Sequence, residues 1–374
     1  MIPHQISDLY RLSQNRSIEG RRLLAGAVSD LFSGEGMVLS DKERAIATDI
    51  LRQLVHSAEV EIRKALAEHL AGQPLAPVDL VMTLAGDQIL VAEPVLRFSA
   101  LLGDAELVAL IRKLGAPHQL VIAKRSSVGE TVTDALIAHG PTEVAYAVLV
   151  NPGSKISRNS VLALTRAAQR ETVLRRPLLA RAEMPPDLAA RLYWWAGAEL
   201  RRFINSRFTI DSQQLDGALK TVLKELAASS QQHRDALPEQ IELADRLAEH
   251  QAITPTLLIQ TLRLRNTGLF ALLLTRLTRL DENGVRAILD EDGGEALALI
   301  CKALGIDKAS FATLFLLGRA VKMGDKAIDP RELSRAMGLY DRLTLEASKK
   351  LFQRWQNDSG DMHAFIARYA NRSE

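Results

Sequence analysis

Arginine and aromatic side chains meet most densely in RLYWWAGAELRRFI, from Arg191 to Ile204. A guanidinium pairs with a carboxylate or phosphate, and an indole or phenol ring offers a flat apolar face. Trp, Tyr and Arg also dominate the hot spots of protein interfaces. The stretch is therefore a candidate partner-binding patch made of Arg191, Trp194, Trp195, Arg201 and Arg202, with Arg175 and Arg176 just upstream. Successive residues of a helix point about 100° apart, so Trp194 and Trp195 are not expected to face the same core. The plainer reading has one Trp packed inside and the other covering a neighbouring helix. The patch lies in a basic segment. From Lys155 to Arg207, eleven Lys or Arg stand against Glu171, Glu183, Asp187 and Glu199, about +7 in a chain whose net charge is +2. Local pairing on solvated helix faces is the ordinary account of such a segment. The functional account is an acidic or anionic partner, nucleic acid included.

Other reactive groupings are missing. The sequence has no GxxxxGK[ST] phosphate loop, no GxGxxG after a strand, no HExxH and no GxSxG. None of the eight His stands four residues from another, so a metal site would need distant elements. SGEG (Ser33–Gly36) is a turn, and DEDGGE (Asp290–Glu295) lacks the alternating ligands of a calcium loop and reads as a helix–helix turn. The carboxylates sit on helix faces, and no pair shows an apolar setting that would raise a pKa. The single Cys301, in EALALICKALG, excludes an internal disulfide and reads as a buried small hydrophobe. These absences point away from an enzyme and imply no cofactor and no metal. No run of about 18 apolar residues occurs, and MIPHQISDLYRLSQ lacks the basic head and apolar core of a secretory signal. A cytoplasmic protein without a membrane span is the expectation.

The elements that must position these residues are helices. Apolar residues make up 47% of the chain and aromatics only 5%, with Ala and Leu abundant, which favours helix over strand. A phrase then recurs: apolar pair, polar anchor, short break, apolar helix. The anchors are His69, Arg97, Arg125, Asn151 and Arg181, spaced by 28, 28, 26 and 30 residues. The breaks contain AGQP, LLGD, SVGE, NPGSK and AEMPP. Two helices in about 28 residues cannot cover their own apolar faces, so they must stack into an α-solenoid with one continuous core. The anchors would recur at equivalent places in each layer as a structural polar ladder, bonding helix-end carbonyls or the adjacent layer. A row of ligand contacts is the alternative. Ser40-Asp41-Lys42-Glu43 is a capping box at the start of RAIATDILRQLV.

After about Ile210 the phrase fades but helical patterns continue from Gln213 to Gln356. Thr254-Pro255 and Asp329-Pro330 mark helix starts, RFTID (Arg207–Asp211) is a linker, and SSQQHRD (Ser229–Asp235) is a flexible joint. The organisation expected is an N-terminal helical cap (1–39), a repeat domain (40–210) and a C-terminal all-helical domain (211–374).

SDKERAIATDILRQLVHSAEVEIRKALAEHL, VAEPVLRFSALLGDAELVALI, IAKRSSVGETVTDALIAHG, VLVNPGSKISRNSVLAL and PLLARAEMPPDLAARLYWWAGAELRRFI together resemble DUF2336, a bacterial family of HEAT-like helical repeats typical of alphaproteobacteria. The resemblance runs from about Ser40 to Ile204 and weakens towards Val321. It implies an all-α HEAT-like superhelix followed by a C-terminal helical region. It brings no activity, cofactor or catalytic residue. His69 and Asn151 stand where other units carry Arg, so the ladder is not uniform. The function expected is a non-catalytic protein-interaction scaffold or regulatory adaptor. A nucleic-acid-binding protein using Lys155–Arg207 is the alternative.

Overall fold

The computed structural model describes residues 17–32, 40–230, 237–323 and 330–357. Among them the chain forms twenty-two α-helices, one 3-10 turn and no strand; the β contact is an isolated parallel bridge between Val128 and Ser154. The fold is all-α. The chain divides into two compact units, Met1–Met184 and Pro185–Glu374. The division precedes position 210, where the repeat phrase fades, because Trp194 and Trp195 already belong to a core that runs to Trp355.

The first unit holds α1 (Ile18–Ser29), α2 (Asp41–Ser57), α3 (Val60–Leu70), α4 (Val78–Ala85), α5 (Ile89–Phe98), α6 (Asp104–Lys113), α7 (Ala116–Ala123), α8 (Glu130–His139), α9 (Thr142–Val150), α10 (Arg158–Arg170) and α11 (Thr172–Ala180). The odd-numbered helices pack one against the next from α1 to α11. A second row joins α6, α8 and α10, and α2 packs on α4. Most of these helices have only 8–13 residues, too short to be stable alone in water. Packing supplies what length does not. In α5, Val91, Ala92, Val95 and Leu96 are fully buried, a stripe with helical spacing, while Leu90 and Arg97 face water.

Caps and ion pairs fix the register between layers. Ser40 N donates to Glu43 Oε2 at 2.9 Å, and Glu43 N donates to Ser40 Oγ at 3.4 Å, closing the capping box at the start of α2. Arg63 grips Asp87 with two bonds, Nε to Oδ2 at 2.6 Å and Nη2 to Oδ1 at 3.2 Å. In the NPGSK break, Val128 N donates to Gly153 O and Lys155 N to Val128 O, both at 3.0 Å. A Cβ on Gly153 would stand 1.9 Å from the backbone carbonyl oxygen of Ser126. Backbone cannot swing aside as a side chain does. Gly153→Ala is therefore expected to force the two segments apart and to cost at least about 2–3 kcal/mol. A thermal unfolding midpoint equal to the wild type would refute that close approach.

The second unit holds α12 (Pro186–Tyr193), α13 (Ala198–Arg207), α14 (Ser212–Ser230), α15 (Pro238–Glu249), α16 (Pro255–Arg263), α17 (Thr267–Thr278), α18 (Glu282–Asp290), α19 (Glu295–Ala303), α20 (Lys308–Met323), α21 (Pro330–Arg342) and α22 (Leu345–Asn357). The two-row order gives way here. α16 packs on α20, and α19 lies against both α21 and α22. α17 is central: Leu269, Phe270, Leu272, Leu273 and Leu274 are buried around most of its circumference. Its cap is Asn266, whose Oδ1 accepts from Leu269 N at 3.1 Å. Thr254 Oγ1 caps α16 by accepting from Leu257 N at 3.2 Å. Ser229 and Ser230 close α14; the rest of the SSQQHRD joint, the SGEG turn and Asp329 lie outside the described residues.

Candidate functional site

Three of the five anchors make the same connection. Arg125 donates from Nη1 to the carbonyl of Leu96 at 2.5 Å and from Nη2 to that of Ser99 at 2.8 Å. Asn151 Nδ2 donates to the carbonyls of Ala123 and Arg125, both at 2.8 Å. Arg181 Nη1 donates to Asn151 O at 2.9 Å, and its Nη2 bonds Ser154 O. Each side chain thus satisfies orphan carbonyls where the odd-row helix one repeat earlier ends. Burial pushes the Arg125 guanidinium below its ordinary range, countered by the charge of Asp104. His69 and Arg97 depart from the pattern. The His69 ring rests against Gly26, its Nε2 3.2 Å from where a Cβ would stand. Arg97 is exposed, with its guanidinium 5.3 Å from the centre of the Phe98 ring. The ladder accordingly has three rungs, at Arg125, Asn151 and Arg181. Asn151→Leu removes donors from two carbonyls and should lower stability by about 1–3 kcal/mol. Thermal unfolding measures it, and an unchanged midpoint would show that water replaces the rung.

A second set of rungs works within a layer and was not legible in the sequence. Gln119 Nε2 donates to the carbonyls of Ile111 (3.0 Å) and Leu114 (3.2 Å). Arg175 donates from Nε to Ala168 O at 2.8 Å and from Nη2 to Gln169 O at 2.9 Å. Arg201 Nε bonds Ala196 O at 2.9 Å and Tyr193 O at 3.1 Å. In each case the second helix of a pair closes the end of the first. Equivalent positions in each pair would have been the signal, but one holds Gln and two hold Arg, and the surrounding residues differ.

These contacts change the reading of the aromatic and arginine stretch. α12 ends at Tyr193, and Trp194 and Trp195 lie in the turn after it, so the 100° rule no longer separates them. Both enter one core: Trp195 is fully buried and Trp194 is 9% exposed. Trp194 meets Tyr193 edge to face at 5.7 Å and donates from Nε1 to Leu215 O at 3.2 Å. It also lines a recess of about 430 Å³ with Asp216, Lys220, Thr254 and Gln260. Arg175 and Arg201 are only 5% and 7% exposed. Trp194, Trp195, Arg175 and Arg201 are therefore interior residues and do not form an accessible patch. Arg191 pairs with Glu225 at 3.1 Å. Arg176 and Arg202 are exposed, Arg176 in the first unit and Arg202 in the second.

Around Arg201 the second unit gathers positive charge. Arg246 pairs with Glu249 at 2.9 Å. His250 is held below the ordinary imidazole range by partial burial and by the charges of Arg201 and Arg246, which Glu249 opposes.

One carboxyl pair does lie in a setting that raises a pKa, against the sequence expectation. Glu291 is pushed up to about 8 by burial first and then by the neighbouring carboxyl of Glu295. Glu291 Oε2 accepts from Ala296 N at 2.8 Å. The tight DEDGGE turn brings the two carboxyls together, with Gly294 at φ 73°. A side chain at Gly293 would collide with Glu295 Oε2, at 2.0 Å. Two Glu four residues apart across Gly-Gly were the signal. Next to them, Arg319 (7% exposed) joins Asp292 and Glu332, and Lys322 also reaches Asp292. Cys301 is buried, and its thiol is pushed up to about 12 by desolvation. Among the described residues no three His, Cys, Asp or Glu side chains converge on a metal position, and no helix is long and apolar enough to cross a membrane.

Recurring helix pairs, tied by side chains that close helix-end carbonyls, define an all-α protein whose first unit is built by repetition. The chain belongs to DUF2336, described as uncharacterised proteins conserved in bacteria, whose family model matches residues 91–353. No curated protein and no solved structure matches the chain.

Proposed function

We propose that the chain is a non-catalytic protein-interaction scaffold of the cytoplasm, a HEAT-like solenoid whose first unit carries the docking face. One observation supports this above others. Of eleven large apolar side chains that stand strongly exposed among the described residues, nine belong to the first unit. Leu90, Tyr146, Val150 and Val173 lie on the odd row, on α5, α9 and α11, and are 60%, 39%, 52% and 51% exposed. α9 and α11 pack directly, so the last three sit on neighbouring helices of that row. Exposed apolar groups gathered on one unit mark an interaction surface, because a partner removes them from water at about 25 cal/mol per Å².

The test is capture of partners by the full-length chain and by the double variant Tyr146→Glu/Val173→Glu. Recovery is expected to fall at least about tenfold, as for a lost hot spot, with the unfolding temperature unchanged. Equal recovery would remove this face from the account. The nucleic-acid alternative draws on the Lys155–Arg207 segment. Arg175, Arg181 and Arg201 use guanidinium donors on backbone carbonyls, which subtracts from the charge available to phosphates. Binding of DNA or RNA at low salt that falls steeply as salt rises would reverse the preference.

A further inference from the structure

We infer that the start of α13 binds a phosphoryl anion, held by Arg201, Arg246 and the first-turn backbone N–H groups. The inference concerns the second unit and stands apart from the docking face proposed above. Arg201 is 7% exposed, and among the described residues no carboxylate pairs with it. Its Nε serves the carbonyls of Ala196 and Tyr193, which fixes the guanidinium one peptide unit from Gly197, the N-cap of α13. Its Nη2 is buried without a hydrogen-bond partner. The Tyr193 ring, 4.5 Å from the guanidinium, supplies only its π face. A buried cation with an idle donor and no direct ion pair is costly unless a further partner completes it.

A second cation points to the same place. Arg246 Nη1 lies 3.7 Å from where a Cβ on Gly197 would stand. Nη1 also pairs with Glu249, but Arg246 Nε is buried and unpartnered. Gly197 brings no side chain to cap the helix. The first N–H groups of a helix have no partner within it, and together with the helix dipole they favour an anion. Glu249 pairs with Arg246, and Glu199, in the first turn of α13, is exposed. Donors from two forks and a helix end suit the tetrahedral oxygens of a phosphoryl group better than chloride. The group belongs either to a soluble phosphate or to a lipid headgroup.

The experiment uses the full-length chain. Thermal unfolding is followed by tryptophan fluorescence in sodium phosphate and in sodium chloride of equal ionic strength. Cosedimentation is measured with phosphatidylcholine vesicles with and without phosphatidylglycerol. Phosphate is expected to raise the unfolding midpoint by several degrees over chloride, and R246Q to weaken the apparent affinity at least about tenfold, the loss of one charge-assisted contact. R202Q, at an exposed neighbour, should bind as the wild type does. If R246Q does not fold, R246K, which keeps the charge but not the fork, is expected to show the same loss. A phosphate shift without sedimentation assigns a soluble ligand. Sedimentation that needs phosphatidylglycerol and is lost in R246Q or R246K assigns the headgroup. The inference is overturned if neither phosphate nor phosphatidylglycerol has an effect, or if the Arg246 variant responds as the wild type does.

Discussion

Trp195→Ala is expected to destabilise the second unit by about 3–5 kcal/mol, the range for removing a fully buried large aromatic. Trp195 is among the largest side chains with no exposed surface, and it joins a core that includes Leu223, Leu243 and Phe270. Close-packed neighbours relax only partly into the space left behind, so the cost combines lost transfer energy with a cavity. For a unit of this size the unfolding midpoint should fall by roughly 2–4 °C per kcal/mol. Trp194→Ala should cost less, because that ring borders the recess at 9% exposure. Calorimetry of both variants checks the order. A Trp195→Ala protein within about 1 kcal/mol of the wild type would mean that this side chain is not in the core.

Glu291→Gln should make stability less sensitive to alkali. The folded carboxyl keeps its proton up to about 8, because it is largely desolvated and lies beside the carboxyl of Glu295. In the unfolded chain it ionises near the ordinary value of 4.5. A raised folded pKa means that the stability contributed by Glu291 is complete below the unfolded value. It is lost as pH rises towards the folded value, because there the unfolded state releases a proton the folded state retains. Gln cannot ionise, and its carbonyl can still accept from Ala296 N. The two proteins should therefore unfold at the same temperature near pH 4.5, and the variant should be several degrees more stable at pH 9. Parallel unfolding curves across that range would show that Glu291 is ionised and solvated in the folded state.

How much of this was legible in the sequence depends on the distance over which each cause acts. The second unit is helical across the span where the apolar pattern continues, and Pro255 and Pro330 start helices where the sequence marks them. Capping is also local, so Ser40 with Glu43 and Thr254 before Pro255 could be named in advance. The polar ladder was half legible. Recurrence marked Arg125, Asn151 and Arg181, yet the same recurrence marked His69 and Arg97. Whether a long side chain reaches a carbonyl one layer away depends on how the layers stack.

The site was less legible, for one reason. Composition treats an arginine or a tryptophan as available, whereas burial decides whether it is. The stretch Arg191–Ile204 was marked out by residue type alone, and the turn at Trp194 sends both indoles and Arg201 inward. The Glu291–Glu295 pair was passed over because two Glu spaced across Gly-Gly do not reveal whether the turn that brings them together will be desolvated beside a core. By itself the sequence determined the all-helical class, the caps at Ser40 and Thr254 and the family, since these rest on periodicity and on neighbours within a few residues. Only the tertiary structure decided which polar groups end without water or a counter-charge, because desolvation is a property of everything packed around a group and of no single stretch of chain.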